Sequence, residues 1–365
     1  MARVPGRRQG ADVVTALPGG PALVVRGPGV FGLEDRTAVA PGPGEVRITP
    51  LFVGVCGTDL EIIDGRMDPD YVRYPLVIGH EWSGVVAATG DRADRFRAGR
   101  FQAGDTVVVE GIIPDGVCAA CRAGRTNLCA VYDELGFMRD GAAGPSVTVP
   151  ERLVHRLGPG IPAEAGALVE PLSVVLRGLL EANPERGGRM LVIGDGTVAL
   201  LAAHALRLWS PSEVVVSGRR PEQAGLARTM GADAFTVEPA PERSFDFVVE
   251  AAGNIDAVQS ALTAPRRGGS VLLLGIAGHG RTITTAADDI VNNDLRIRGS
   301  FGYTAEAWRS AVALLNSGAL TPLPLITHRF PLENFAEAVD ALRHGAGDGP
   351  RGKILLTLDR RASTS

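Results

Sequence analysis

Between Ala165 and Gly299, short and nearly continuous apolar runs alternate with stretches that can be helical, and no other feature constrains the fold as strongly. The runs are Arg189–Ile193, Glu213–Ser217, Ala234–Val237, Phe245–Val249, Ser270–Leu274 and Leu295–Gly299. Ala165–Leu180, Ala199–Trp209 and Pro221–Met230 read as helices. A strand that is apolar on both faces has to be buried on both, and helices on either side of a parallel sheet achieve this. Six such strands predict a doubly wound α/β unit. The first run is followed by Gly194-Asp195-Gly196-Thr197-Val198-Ala199, which opens a helix. In that position G-x-G-x-x-A has a physical reading as a dinucleotide turn. Gly194 makes the tight bend, Gly196 lets the backbone approach a pyrophosphate, and the helix begun by Thr197 and Val198 offers unpaired N–H groups to the phosphates.

The second run ends Ser217-Gly218-Arg219-Arg220. An NAD-binding unit usually places a carboxylate there for the ribose hydroxyls. Here Gly218 leaves space, and Arg219 and Arg220 are suited to pair with a 2′-phosphate. The expected cofactor is therefore NADP, favoured over NAD. Glu250-Ala251-Ala252-Gly253 and Leu274-Gly275-Ile276 close two later strands at the same sheet edge, which makes Gly275 and Ile276 expected nicotinamide contacts.

Residues up to about 150 have a different texture, rich in glycine and proline with short β-branched runs at Ala22–Val25, Glu45–Ile48 and Thr106–Val109, and read as an all-β module. The tail from Ala319 contains one amphipathic helix, Leu332–Leu342, and a last strand, Lys353–Leu358, and is expected to pack back on that module. A chain of 365 residues suits about two domains. Basic and acidic residues number 37 and 41, leaving a net charge of −4 and no basic block that could follow a phosphate backbone, so nucleic acid is not an expected partner. No run approaches the roughly 18–20 apolar residues that span a bilayer, and Met1–Gly20 has no apolar core of a signal peptide; neither a membrane nor secretion is expected, and the expected location is cytoplasmic.

The four cysteines support that location. Cys56 stands alone, and Cys118, Cys121 and Cys129 lie close together in a pattern poor for disulfides and good for metal. Cys56 sits in G-V-C-G-T-D, and Gly79-His80-Glu81 follows on a loop, so thiolate, imidazole and carboxylate are available in one module. Catalytic zinc takes three such ligands and keeps one position open. His155, His204, His279, His328 and His344 have no motif around them and are assigned to structure or solvent.

C-G-T-D, G-H-E, the cysteine lobe, Glu170-Pro171-Leu172, the glycine turn and the closing G-K-I-L together make the chain resemble the medium-chain zinc alcohol dehydrogenase superfamily along nearly its whole length. Ala167–Val175 is similar to the polyol, sugar and cyclitol branch, in which a glutamate replaces a cysteine ligand. The resemblance implies a GroES-like β-rich catalytic domain, residues 1–171 completed by 317–365, and a Rossmann domain, residues 172–316. It implies a catalytic zinc on Cys56 and His80, with Glu81 or Glu170 as third ligand and the other glutamate binding through water. It further implies that Thr58 contacts the substrate oxygen and begins a proton relay, and that Asp59 orients His80. Glu61 stands where many relatives continue that relay with histidine. Cys118, Cys121 and Cys129 fit the last three ligands of a structural-zinc lobe, with Asp115 in the first place. Lys353 occupies a position that commonly reaches the cofactor pyrophosphate.

S-G-R-R and E-P-L-S-V-V resemble glucose dehydrogenases, whereas G-H-E-W-S-G and E-L-G-F-x-x-D-G-A are more similar to aminocyclitol dehydrogenases. The expected activity is zinc-dependent hydride transfer between NADP(H) and a secondary alcohol or ketone of a sugar, polyol or (amino)cyclitol. The alternatives are an aldose 1-dehydrogenase and a zinc-free NADPH quinone or enone reductase. The resemblance also implies a homodimer or homotetramer, partly through edge pairing near Leu295–Gly299.

Overall fold

The computed structural model describes residues 17–90, 100–278, 280–345 and 347–358. His279 and most of Met1–Gly20 lie outside the described residues. The six apolar runs form one parallel sheet in the order Ala234–Thr236, Glu213–Ser217, Arg189–Ile193, Phe245–Glu250, Pro265–Leu273, Arg296–Gly299. Alternate residues confirm the two-sided burial. Met190, Val192, Val214, Val216, Val249 and Leu272 belong to the large core on one face, and Leu191, Ile193, Val215, Val248 and Val271 to a smaller core on the other. Each such buried side chain contributes about 1.5–3 kcal/mol relative to an exposed one. The order reverses between Arg189–Ile193 and Phe245–Glu250, and ligands of such sheets bind outside the carboxyl ends at that point.

The stretch expected as one helix from Ala165 is two pieces, Ala163–Gly166 and Val169–Ala182. Pro171 supplies the reason, since a proline ring clashes with the carbonyl four residues back and the helix cannot run unbroken through Ala167. The break sets Glu170 on the first turn of the second piece.

The β-rich part is built around a seven-stranded sheet in the order Val154–Arg156, Thr106–Val109, Glu81–Thr89, Glu45–Val55, Lys353–Thr357, Ile326–Pro331, with Val147–Pro150 also paired to Glu45–Val55. The chain's last strand thus inserts beside one of its first, in the register Ile354 opposite Val55 and Leu355 opposite Gly54. On its other side Glu45–Val55 pairs with Glu81–Thr89, Gly54 opposite Glu81. These two registers bring Cys56, Glu81 and Lys353 to one place. No helix of the described residues is long and apolar enough to cross a membrane.

Candidate active site and cofactor crevice

Cys56 follows the strand Glu45–Val55 and caps the short helix Gly57–Ile63, and its N–H donates to Asp59 Oδ2 at 2.8 Å. His80 and Glu81 lie at the start of the adjoining strand, both buried. The Sγ of Cys56, a ring nitrogen of His80 and a carboxylate oxygen of Glu81 all lie within 4.8 Å of one another. His80 Nδ1 faces Asp59 Oδ1 at 3.6 Å, and both atoms are buried with no hydrogen-bond partner. Burial opposes a charge on His80, but Asp59 and Cys56 outweigh it and raise its pKa well above the ordinary value. An imidazole, a thiol and a carboxylate converging in a buried pocket, with orphaned polar atoms, fit a zinc ion. Asp59 is placed to orient the imidazole, as second partners of metal-bound histidines do.

Thr58 Oγ1 lies 3.6 Å from Cys56 Sγ. Glu61 is half-buried one turn farther along the helix, and its side chain makes no hydrogen bond or ion pair among the described residues. Glu170 stands outside the three-ligand cluster. Burial pushes its carboxyl up to about 8, with Glu81 and Glu134 adding to the effect and His80 and Lys353 opposing it. Those interactions link Glu170 electrostatically to the cluster.

Lys353 departs from the expectation made for it. Lys353, expected at the pyrophosphate, is buried at 2% exposure, with Nζ paired to the Glu81 carboxylate and donating to Val55 O at 3.3 Å. Its strand runs beside Glu45–Val55, with Ile354 opposite Val55, and this brings Lys353 to Glu81. Burial opposes its charge, while Glu81 and then Cys56 outweigh burial and raise its pKa. A further carboxyl at the site is Glu134, the glutamate of E-L-G-F. It sits on the short strand Asp133–Glu134, opposite Ile112, and burial pushes its carboxyl up to about 7 against the opposing effect of His80. Its place directly after the cysteine lobe was visible in the sequence, but its approach to His80 depends on a long-range pairing.

The crevice at the switch point fits a dinucleotide. Gly194 adopts φ +126°, and a Cβ there would lie 3.0 Å from Ala251 C. Around Gly196, at the N-terminus of the helix Thr197–Leu206, nothing lies within 4 Å of a built Cβ, and no side chain caps that helix. Thr197 and Val198 form its first turn. Glu250 is fully buried, and its Oε1 accepts from Ala252 and Gly253 N–H, each at 2.8 Å, which shapes one lining loop. A Cβ at Gly275 would collide with Gly253 N, so the two loops touch, and Ile276 is 74% exposed beside them. Arg220, expected free for a 2′-phosphate, is instead held by Asp195, with Nη2 to Oδ1 at 2.7 Å. Arg219 is exposed and its guanidinium has no partner among the described residues.

Asp115, Cys118, Cys121 and Cys129 likewise bring one ligand atom each within 4.8 Å of the others, and all four cysteines of the chain are free. Asp115 Oδ1 accepts from Cys118 N–H at 3.0 Å and Val117 N–H at 2.8 Å, and these amides hold its carboxyl well below the usual carboxylate range. Three sulfurs and one carboxylate suit a closed, structural zinc site. The lobe docks on the nucleotide-binding part: Asn127 Nδ2 donates to Phe301 O at 2.7 Å, and Tyr303 Oη accepts from Gly111 and Ile112 N–H at 2.7 and 3.1 Å.

Residues 42–159 match the alcohol dehydrogenase GroES-like domain family, and residues 163–345 match the glucose dehydrogenase C-terminus family. Over 344 residues the chain is 31% identical to an L-threonine 3-dehydrogenase of Anaeromyxobacter sp. (strain Fw109-5), covering 91% of this chain and 96% of the relative. It is 31% identical over 359 residues to a sorbitol dehydrogenase of Gallus gallus, covering 93% and 96%. Among solved structures, a zinc-binding dehydrogenase of Sinorhizobium meliloti 1021 bound to NADP superposes with a TM-score of 0.84 at 26% identity, over 93% of this chain and 99% of that one. Galactitol-1-phosphate dehydrogenase of Escherichia coli gives 0.81 at 26% identity, over 93% and 100%.

Proposed function

The chain belongs to the medium-chain zinc-dependent alcohol dehydrogenases, in their polyol branch, and from that premise we propose that it moves a hydride between NADP(H) and a secondary alcohol or ketone of a sugar, polyol or (amino)cyclitol. The observation that carries this reading is the Cys56–His80–Glu81 cluster, with which Glu170 and Glu134 interact, in a chain that also holds an open glycine turn at the switch point of a parallel sheet. A zinc ion held by Cys56, His80 and one of Glu81 or Glu170 would acidify the hydroxyl of a bound alcohol. Asp59 keeps His80 in one orientation. Lys353 balances the charge of Glu81. Thr58 Oγ1 would accept a hydrogen bond from the substrate hydroxyl and pass its own proton onward to solvent as the first member of a relay, and the glycine turn with its helix N-terminus receives the pyrophosphate. Burial raises both the Glu134 and the Glu170 carboxyl, so either one, where it is not bound to metal, is suited to hydrogen-bond a substrate hydroxyl.

Relatives named for sorbitol, threonine and galactitol-1-phosphate support a polyhydroxylated substrate. The match of residues 163–345 to a glucose dehydrogenase family favours a second reading, an aldose 1-dehydrogenase. Gathered metal ligands count against a zinc-free reductase. We take residues 1–171 and 317–365 as the catalytic unit and 172–316 as the nucleotide-binding one, which the pairing of Lys353–Thr357 with Glu45–Val55 supports. Four free cysteines support a reducing, cytoplasmic setting, and the fully exposed edge strand Arg296–Gly299 supports assembly into a homodimer or homotetramer. The test is metal analysis with NADP+ and NAD+ reduction on sugars, polyols and cyclitols, before and after chelation. The expected result is two zinc ions per chain and chelator-sensitive, NADP-preferring turnover on a ring or chain secondary hydroxyl. Turnover confined to anomeric hydroxyls selects the aldose reading, and undiminished turnover without metal overturns both.

A further inference from the structure

Lys353 is committed to Glu81 and Arg220 to Asp195, so two of the cations expected at the cofactor are already used inside the fold. Asp195 is saturated. Its Oδ2 accepts from Arg219 and Arg220 N–H at 2.9 and 3.0 Å, its Oδ1 accepts from Arg220 Nη2 and Nε at 2.7 and 3.2 Å, and its carbonyl accepts from Arg220 Nη2 at 3.1 Å. It fills the space that Gly218 leaves, since a Cβ at Gly218 would lie 2.6 Å from Asp195 Cβ.

A third arginine arrives from the far end of the chain. Fully buried Gln223 donates from Nε2 to Asp195 O at 2.6 Å and to Arg351 O at 2.9 Å, and accepts Arg351 N–H at 2.7 Å on Oε1. One side-chain amide thus fastens the glycine turn to the segment leading into Lys353. Among the described residues only Nη1 of the Arg351 guanidinium is engaged, on the last carbonyls of the helix Phe335–His344, at 2.7 Å to Leu342 O and 3.3 Å to Ala341 O. Burial and the neighbouring charge of Arg220 lower its pKa, against Asp195 and Glu222. Arg219 and Arg220 thus flank the saturated Asp195 carboxylate, and Gln223 ties the backbone of the half-used Arg351 to the same turn, so that three guanidiniums stand against the two carboxylates of Asp195 and Glu222.

We propose that Arg351, together with Arg219, binds the 2′-phosphate of the cofactor, so that the returning C-terminal segment helps choose NADP over NAD, with Arg220 and Gln223 as positioning residues. The proposal rests on the NADP reading above. A half-used planar fork and a free guanidinium are suited to a phosphate dianion, which accepts bidentate charge-assisted bonds. A nicotinamide cofactor lacking that phosphate gains nothing from them.

The test is equilibrium binding of NADPH and NADH, followed by cofactor fluorescence without substrate, and of adenosine 2′-monophosphate by calorimetry. The proteins are the wild type, Arg351→Gln, Arg351→Lys and Arg219→Ala, each checked by thermal melting. Arg351→Gln is expected to weaken NADPH and adenosine 2′-monophosphate by about tenfold and to leave NADH within about twofold. Arg351→Lys should recover part of the loss, and Arg219→Ala should reproduce it. Equal weakening of NADPH and NADH, or no weakening of either, overturns the role of Arg351 while leaving the NADP reading standing. A wild type that binds NADH more tightly than NADPH overturns the NADP reading itself. If Arg351→Gln melts early, Arg351→Lys and Arg219→Ala carry the same comparison.

Discussion

The Asp115–Cys129 lobe brings its four candidate ligands together within a single loop, whereas Cys56, His80 and Glu81 stand at the ends of two paired strands, next to Asp59 on the helix that Cys56 caps, and interact with Glu134, Glu170 and Lys353 from elsewhere in the chain. The lobe ranges from exposed Asp115 to buried Cys129, and local amides such as those of Val117 and Cys118 satisfy its ligands. The other cluster lies deep, where each charge needs a compensating partner. A loop can form its metal site by turn geometry alone. A buried one depends on strand registers and on distant charges, and a change to any member unbalances the rest.

The sharpest way to break this comparison is to disable each cluster in turn. His80→Ala is expected to lower turnover by on the order of 10⁴-fold, with NADPH binding preserved by fluorescence. Cys121→Ala should release one metal ion per chain and lower the melting temperature while keeping turnover. Equal loss of turnover in the two variants would erase the distinction.

Next in size is the partner of Glu81. Lys353→Met leaves a buried carboxylate uncompensated, at a cost of about 3–5 kcal/mol in denaturant unfolding, and adding Glu81→Gln should restore part of it. Additive losses in the double variant would mean that the pair is not coupled. Where the lobe docks, Tyr303→Phe removes the acceptor for the Gly111 and Ile112 N–H groups and is expected to cost about 1–3 kcal/mol without changing metal content.

The smallest effect concerns pH. Burial raises the Glu134 carboxyl from its ordinary 4.5 to about 7, so the folded chain holds this proton more tightly than the unfolded one. The resulting stability is present in full below about 4.5 and is lost as pH rises through about 7. In metal-free protein, unfolding free energy should therefore fall between pH 5 and 8 by about 1–2 kcal/mol more in the wild type than in Glu134→Gln. Parallel pH profiles would remove Glu134 from the buried cluster.

Much of the fold was legible because its signals are local. Runs such as Met190–Ile193 and Val214–Val216 announce two-sided burial by being apolar at successive positions, and they end within a few residues of the observed strands. The glycine turn was legible through Gly194, whose φ of +126° favours glycine, and the lobe through the spacing of Cys118, Cys121 and Cys129. The single helix expected from Ala165 failed because the apolar period continues across a backbone break that Pro171 imposes.

The sequence alone determined the alternating strands and helices, the place of the glycine turn and the ligand types at Cys56, His80 and Glu81, since periodicity, backbone restriction and chemical identity are properties of neighbouring residues. Only the tertiary structure decided that Lys353 faces Glu81, that Arg220 serves Asp195, that Glu134 approaches His80 and that Arg351 lies against the glycine turn. Each of these pairings spans a wide gap in sequence and depends on strand register. A shift of one residue between Lys353–Thr357 and Glu45–Val55 would turn Lys353 to the opposite face of the sheet.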